Sequence, residues 1–399
     1  MAARLFANIR NTLLVWARES AGLSPEVAAK RIGVPVERLT AWERGDERPS
    51  VPQLRKAAAT YKRSLAVFFL AEPPKSPPLI HDFRRLEQGH TAARSPELLI
   101  ELRRARRRRE IAVEIAQDID ERIEDIPLQG TLRDDTERLA ARAREWLGVT
   151  VAQQSAWKGD YGVLNGWLAL LESKHILVFQ TGDVPLTEMR GCSISEYPMP
   201  AIVLNATDAP RGRAFTLGHE LVHLLLRNGG LCDPGRVSET GRTENEQVEI
   251  FCNAVAAAIM VPADDLLSTR LVRDASKGAQ SWDEAAIREL ADRYAVSREV
   301  IVRRLLTLGK TTNDFYEHKR EEYRQQFVAA REQAKEARGF PPYSRVVVRD
   351  LGKRYTRMVL EALDRERITP ADVADYLGVR LKHLPDIAEA AQSTTGGDT

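Results

Sequence analysis

The sequence predicts an α+β protein, mostly helical, and three observations carry that prediction. The stretch 23-LSPEVAAKRIGVPVERLTAWERG-45 reads as two short helices joined by a glycine turn. The runs 175-HILVFQ-180, 190-RGCSIS-195 and 201-AIVLN-205 read as short strands between turn signals. Beyond about residue 243 the apolar spacing is helical almost to the end.

The bulk properties bound the class of protein. A chain of 399 residues has room for two or three domains with their own cores. With 43% hydrophobic and 29% charged residues it has the composition of an ordinary soluble protein. No run of about 18 apolar residues suggests a membrane span. The first twenty residues are too polar for a signal peptide. Cys192, Cys232 and Cys252 form no CxxC pair, which fits reduced thiols in a cytoplasm. Net charge is only +2, but the first 75 residues hold thirteen Lys/Arg against seven Asp/Glu. That local excess fits a module facing phosphates.

The elements follow in order. Ser24 caps a helix with Pro25 at its first position, Val27, Ala28 and Ile32 face inward, and Gly33 ends it. A second helix runs from Pro35 to Arg44, with Val36, Leu39 and Trp42 at three-residue spacing and Gly45 as its stop. Together they form a helix-turn-helix within a domain over 1–72. The Pro-rich 72-EPPKSPPL-79 marks the break into a helical linker region over 73–150. There a long helix over 95–126 carries 103-RRARRRRE-110, read as a solvated face, with phosphate contact as the sharper alternative. Another amphipathic helix covers 132–147. A core over 151–268 holds the three strands, a helix begun by Asp208 and Pro210, and a helix over 243–261 stopped by Pro262. An extension over 269–340 contains a second helix-turn-helix-like piece at 287–309 and a long charged helix at 311–338. A helical tail follows over 341–399. Its 368-ITPADVADYLGVRLKHL-384 echoes 23-LSPEVAAKRIGVPVERL-39, as a pair built for packing rather than for reading DNA.

The chemistry concentrates in 214-AFTLGHELVHLLL-226, where His219, Glu220 and His223 interrupt an apolar run. Residues four apart share a helix face, so His219 and His223 can aim at one Zn²⁺. Glu220 sits about 100° around the axis, where it can hold and deprotonate a water. Burying these three groups unpaired would cost several kcal/mol, a penalty that a metal removes. A catalytic zinc needs a third protein ligand. Asp233, Glu239, Glu244, Glu246 and Glu249 are the candidates, and Glu249 is favoured because small and apolar residues flank it. Asn253, four residues on, can accept a hydrogen bond from a histidine ligand's second nitrogen. Glu244 and Glu246 suit an exposed helix start. The chemistry implied is metal-assisted peptide hydrolysis, with Glu220 moving the proton. His175 and Tyr197 are candidate oxyanion donors, and the strand at Cys192–Ser195 is a candidate exposed edge for capturing substrate.

From 191-GCSI through 200-PAIVLN, FTLGHELVHLL and 249-EIFCNAVAAAIMVP, the chain resembles the ImmA/IrrE family of zinc metallopeptidases. Its front end resembles XRE (Cro-repressor-like) helix-turn-helix domains through 23-LSPEVAAKRIGV and WERGDERPS. The resemblance implies a zincin-like core, with His219, His223 and Glu249 as zinc ligands and Glu220 as general base. It also implies cleavage of an XRE-type repressor in mobile-element or stress control. Three positions depart from the pattern. Pro25 stands where many XRE domains carry a Gln, Glu37 stands among the potential base contacts Arg38 and Ala41, and Phe251 replaces a second acid on the Glu249 helix. DNA is the expected partner of residues 1–72, through Arg38, Thr40, Arg44 and Arg48. A protein substrate is the expected partner of the peptidase core, no membrane is involved, and a homodimer is left open. The alternative is a DNA-binding regulator or antitoxin-like protein whose metal is structural or sensory. An intact Glu220 argues against it, because a structural metal needs no general base.

Overall fold

A computed structural model describes residues 6–74, 81–82, 94–228, 230–232, 243–334 and 341–393. No helix among them is long and apolar enough to cross a membrane. The chain divides into two compact units. One comprises residues 1–79 and 86–104, the other 80–85 and 105–399.

The first unit is built from α1 (Asn11–Ser20), α2 (Pro25–Ile32), α3 (Val36–Arg44) and α4 (Val51–Tyr61). The helix-turn-helix signals act as expected. Ser24 Oγ accepts from the Val27 amide, and Gly33 and Gly45 close α2 and α3 at φ 81° and 88°. Leu13, Leu39, Trp42, Leu54 and Phe68 form the core. The Arg18 guanidinium and Glu43 carboxylate, 2.8 Å apart, tie α1 to α3. One inward assignment fails: Val27 is 41% exposed, and Ala29 is buried instead. Ala28, Ala29 and Ile32 share a face that leaves Val27 on the far side of the helix.

Helix α5 (Pro96–Asp118) begins in the first unit and continues in the second. Most of its arginines do not form the solvated face expected. Arg103 donates to the Tyr61 carbonyl in the first unit. Within the second, Arg109 donates to the Glu196 and Pro198 carbonyls, and Arg106 lies 3.3 Å from the Glu196 carboxylate. Arg108 stacks over Phe179 at 5.4 Å. The run clamps the segment before β4; only Arg107, exposed and facing Glu110 and Glu114 of its own helix, fits the solvated reading.

The second unit continues with α6 (Thr136–Leu147), α7 (Val151–Ala156) and α8 (Gly159–Ser173). A mixed five-stranded sheet comes next: β1 (His81–Asp82), β2 (Leu177–Thr181), β3 (Gly191–Ile194), β4 (Ala201–Asn205) and β5 (Gly230–Cys232), in the order β1-β5-β3-β4-β2. β2 runs parallel to β4, and β3 runs antiparallel to both β4 and β5. Strand β3 is therefore interior where β5 reaches it: Gly191 and Cys192 are paired on both sides, so the exposed edge expected at Cys192–Ser195 is covered at Cys192, while Ser193 and Ile194 pair with β4 alone. β1 and β5 are too short to show a period-two pattern, so sequence did not announce them.

Helix α9 (Pro210–Leu225) packs against β3 and β4 of the sheet, and helix α10 (Glu244–Met260) packs against α9 and α6. Asp208 does not cap α9 as expected. Ala209 is the N-cap, and the Asp208 carboxylate is engaged by Arg190 at 2.9 Å. The remaining helices are α11 (Ala263–Ser268), α12 (Arg270–Arg273), α13 (Glu284–Tyr294), α14 (Arg298–Thr307), α15 (Asn313–Ala334), α16 (Tyr343–Leu351), α17 (Lys353–Asp364), α18 (Pro370–Leu377) and α19 (Leu384–Gln392). Part of the helix expected over 311–338, residues 335–338, lies outside the described residues.

The segment expected as a tail is packed onto the sheet. Tyr355 meets Phe179 of β2 edge to face, and the Glu172 carboxylate accepts from the Arg354 amide. Gly352, at φ 76°, lies against β2 so closely that a Cβ there would stand 2.4 Å from the Val178 carbonyl oxygen. Gly352→Ala therefore combines left-handed strain with a backbone clash, and should cost about 3 kcal/mol of stability in the second unit. Urea denaturation checks this; a loss under about 1 kcal/mol would show that the contact yields easily.

Candidate metal centre

α9 and α10 approach closely where Gly218 faces α10. A Cβ at Gly218 would meet Met260 Cε at 2.7 Å. This approach brings Glu249 of α10 beside the two histidines of α9. His219 Nε2 lies 3.3 Å from Glu249 Oε2, and His223 Nε2 lies 3.1 Å from Glu249 Oε1. The two Nε2 atoms are 3.1 Å apart. Both histidines are fully buried and Glu249 is 3% exposed.

The outer nitrogens fix what the inner ones can be. His223 Nδ1 lies 3.1 Å from the Asn228 carbonyl, which can only accept, so Nδ1 carries the proton. His219 Nδ1 lies 2.9 Å from Asn253 Oδ1 and donates in the same way. Both neutral rings then present bare Nε2 lone pairs to each other and to a carboxylate. Three converging acceptors repel unless a cation lies among them. The electrostatics register the same demand for a cation, but differ between the two rings. Burial pushes His223 below its ordinary value and favours the neutral ring. Burial lowers His219 too, but the Glu249 carboxylate outweighs it and pulls that ring up toward its protonated form, and the same attraction holds the Glu249 carboxyl well below the usual range against its burial: without a metal the cluster draws in a proton instead. Two imidazole nitrogens and one carboxylate are the donor set of an open divalent-metal site, and among the described residues they form the cluster that fits an ion.

Glu220 projects from the next position of α9 and is fully buried. Gly191 of β3 lies directly on it: a Cβ there would stand 3.0 Å from Glu220 Oε1 and 2.5 Å from Thr216 Cγ2. Only a glycine lets the strand come this close.

The C-terminal end of α10 is held by three buried polar side chains that sequence reading missed. Arg144 donates to the Ile259 carbonyl, Gln154 to that of Met260 and Arg304 to that of Val261. Carbonyls at a helix end have no partner within the helix, so these groups replace water there. No local pattern could show this, because Arg144 and Ile259 are 115 residues apart.

Other sequence candidates fall elsewhere. Glu246 completes a capping box with Thr243 at the start of α10, and Glu244 is exposed beside it. Asp233 and Glu239 lie outside the described residues. Burial pushes the Cys252 thiol well up, which keeps it protonated. The Tyr197 phenol donates to the Leu224 carbonyl at 2.8 Å, and His175 Nδ1 lies 2.8 Å from Arg354 Nη2. Both candidate oxyanion donors are thus engaged in holding structure. In the first unit, Arg38 and Arg44 of α3 are exposed, as is Arg48 after it, and Thr40 is half-buried. Arg38 has Glu47 3.7 Å away.

Comparison with known families adds two matches. Residues 175–306 match the family model of the IrrE N-terminal-like domain, a peptidase (M78) family. Residues 14–68 match a helix-turn-helix family model. No curated protein matches the chain. The chain thus carries a DNA-binding type of domain in front of a peptidase-family domain, and the buried cluster lies within the latter.

One tightly held divalent ion per chain should be lost in His223→Ala and in Glu249→Ala. Asn253→Ala should keep the ion with an affinity about 10 to 100 times weaker, because His219 loses its orienting acceptor. Elemental analysis after dialysis against a graded chelator reads both effects. Unchanged metal retention in Glu249→Ala would remove that residue from the ligand set.

Proposed function

We propose that this protein is a DNA-binding regulator that cuts a protein, such as an XRE-type repressor, through a zinc-dependent endopeptidase domain. The observation that carries the reading is the convergence of His219, His223 and Glu249 with a buried carboxylate, Glu220, on the adjoining position of the same helix. A centre that only holds structure or senses metal has no use for that second carboxylate. When bound, a zinc ion held by the three residues would supply a Lewis acid that polarises a carbonyl and acidifies water. Glu220 takes the proton from the attacking water and passes it to the leaving amine. Gly191 keeps the strand close above that carboxylate and leaves it little freedom to turn away. Asn253 and the Asn228 carbonyl hold the imidazoles in the tautomer that presents Nε2 inward. The exposed Arg38, Arg44 and Arg48, with Thr40, supply the DNA-facing set. The family match of the helix-turn-helix domain supports this assignment, as does the basic balance of the first 75 residues. Such a regulator works in the cytoplasm, where its DNA is.

Glu220→Gln should retain the metal and lose cleavage by about 10² to 10⁴-fold, the size of a general acid–base contribution. The assay mixes the full chain with repressors encoded beside it and follows fragments by mass spectrometry. A Glu220→Gln variant that cuts as fast as the wild type would sink the catalytic assignment. Replacing Arg38 and Arg44 together by Gln should weaken duplex binding and flatten its salt dependence by about two in log–log slope. A gel shift indifferent to both changes would move the DNA surface elsewhere.

A further inference from the structure

In the first unit two arginines meet on one hydroxyl. Ser20 is the last residue of α1 and Tyr61 the last of α4. Ser20 Oγ donates to the Ala17 carbonyl and accepts from Arg63 Nη2 at 3.0 Å and from Arg103 Nη1 at 3.4 Å. Arg103 also donates to the Tyr61 carbonyl at 3.0 Å. The Arg63 guanidinium lies over the Trp16 ring, 4.2 Å from its centre. Arg63 Nε is buried without a hydrogen-bond partner.

Neither guanidinium has a carboxylate partner among the described residues. Glu19 and Glu43, the acids of the neighbouring helices, both turn to Arg18. Burial pushes Arg103 down to about 10, with the like charges of Arg63 and Arg104 adding to it. Burial alone lowers Arg63, and no acid offsets it.

Helix ends explain part of this. Each C-terminus presents roughly half a negative charge, so α1 and α4 together offset about one of the two positive charges. About one positive charge and one buried donor are left over. An anion would satisfy both.

We propose that Arg63 and Arg103, with Ser20 between them and Trp16 beneath Arg63, form a binding site for a phosphate group. Each guanidinium offers five N–H donors in a planar fork, and only three of the ten are used in the bonds above. A phosphate, with several oxygens and up to two charges, matches that surplus better than a carboxylate does. The group can belong to a duplex backbone or to a small phosphorylated molecule, since the chemistry of recognition is the same. The site lies apart from the α3 arginines in sequence and does not depend on the peptidase reading.

The test uses the full-length protein. Inorganic phosphate is titrated calorimetrically against chloride of equal ionic strength. Binding of a random-sequence 20-base-pair duplex is then measured across salt concentrations. Arg63→Gln is compared with the wild type and with the Arg38→Gln, Arg44→Gln pair. Arg63→Gln leaves Arg103 on the Tyr61 carbonyl, so the C-terminus of α4 stays capped. Saturable phosphate binding that weakens at least tenfold in Arg63→Gln, but not in the α3 pair, supports a small phosphorylated ligand. No binding of free phosphate, with a duplex salt slope that falls by about one in Arg63→Gln, supports a DNA backbone phosphate. If Arg63→Gln changes neither measurement, the arginines only cap helices and the proposal is overturned.

Discussion

Everything in the second unit is arranged around a group of atoms that repel one another. Two imidazole lone pairs and a carboxylate are held about 3 Å apart in a fully buried pocket. Left alone, such acceptors would swing apart or trap a proton. The surroundings prevent the first. Asn253 and the Asn228 carbonyl pin the outer ring nitrogens, and the close passage of Gly218 under Met260 holds α9 and α10 together. The energy of this arrangement is recovered only when a cation enters, so the fold stores an electrostatic demand that a metal meets.

What could be read in advance depended on distance along the chain. His219 and His223 were legible because a spacing of four residues fixes two side chains on one helix face whatever the rest of the protein does. Glu249 and Asn253 were legible for the same reason, one turn apart on another helix. The caps of α2 and α3 were legible because Ser24, Gly33 and Gly45 act on their immediate neighbours. Contacts across a hundred residues left no local trace. Gly191 resembles any strand glycine until Glu220 is seen beneath it, and the start of the β3 edge was misjudged because a three-residue partner carries no pattern of its own. Asp208 reads as a cap by type, yet its carboxylate was already committed to Arg190.

Charge misled in a more instructive way. A dense arginine run on a long helix is most economically read as surface. Here guanidiniums serve as long, multi-donor struts that reach backbone carbonyls at chain turns and helix ends, as Arg109 and Arg304 do. The long stems bury well, and the planar head can satisfy several oxygens at once. Once most arginines are accounted for as struts, those with unused donors stand out, as they do at Arg63.

The tied end of α10 has a mechanical side. Glu249 lies eleven residues before Met260, about 16 Å along the axis at the rise of an α-helix. With the far end fixed by Arg144, Gln154 and Arg304, the helix acts as a lever pivoting near Val261. A working site tolerates displacements of about 0.5 Å, which over this arm corresponds to a tilt of about 2°. Loosening the pivot by one hydrogen bond, far from any ligand atom, is thus enough to detune the centre.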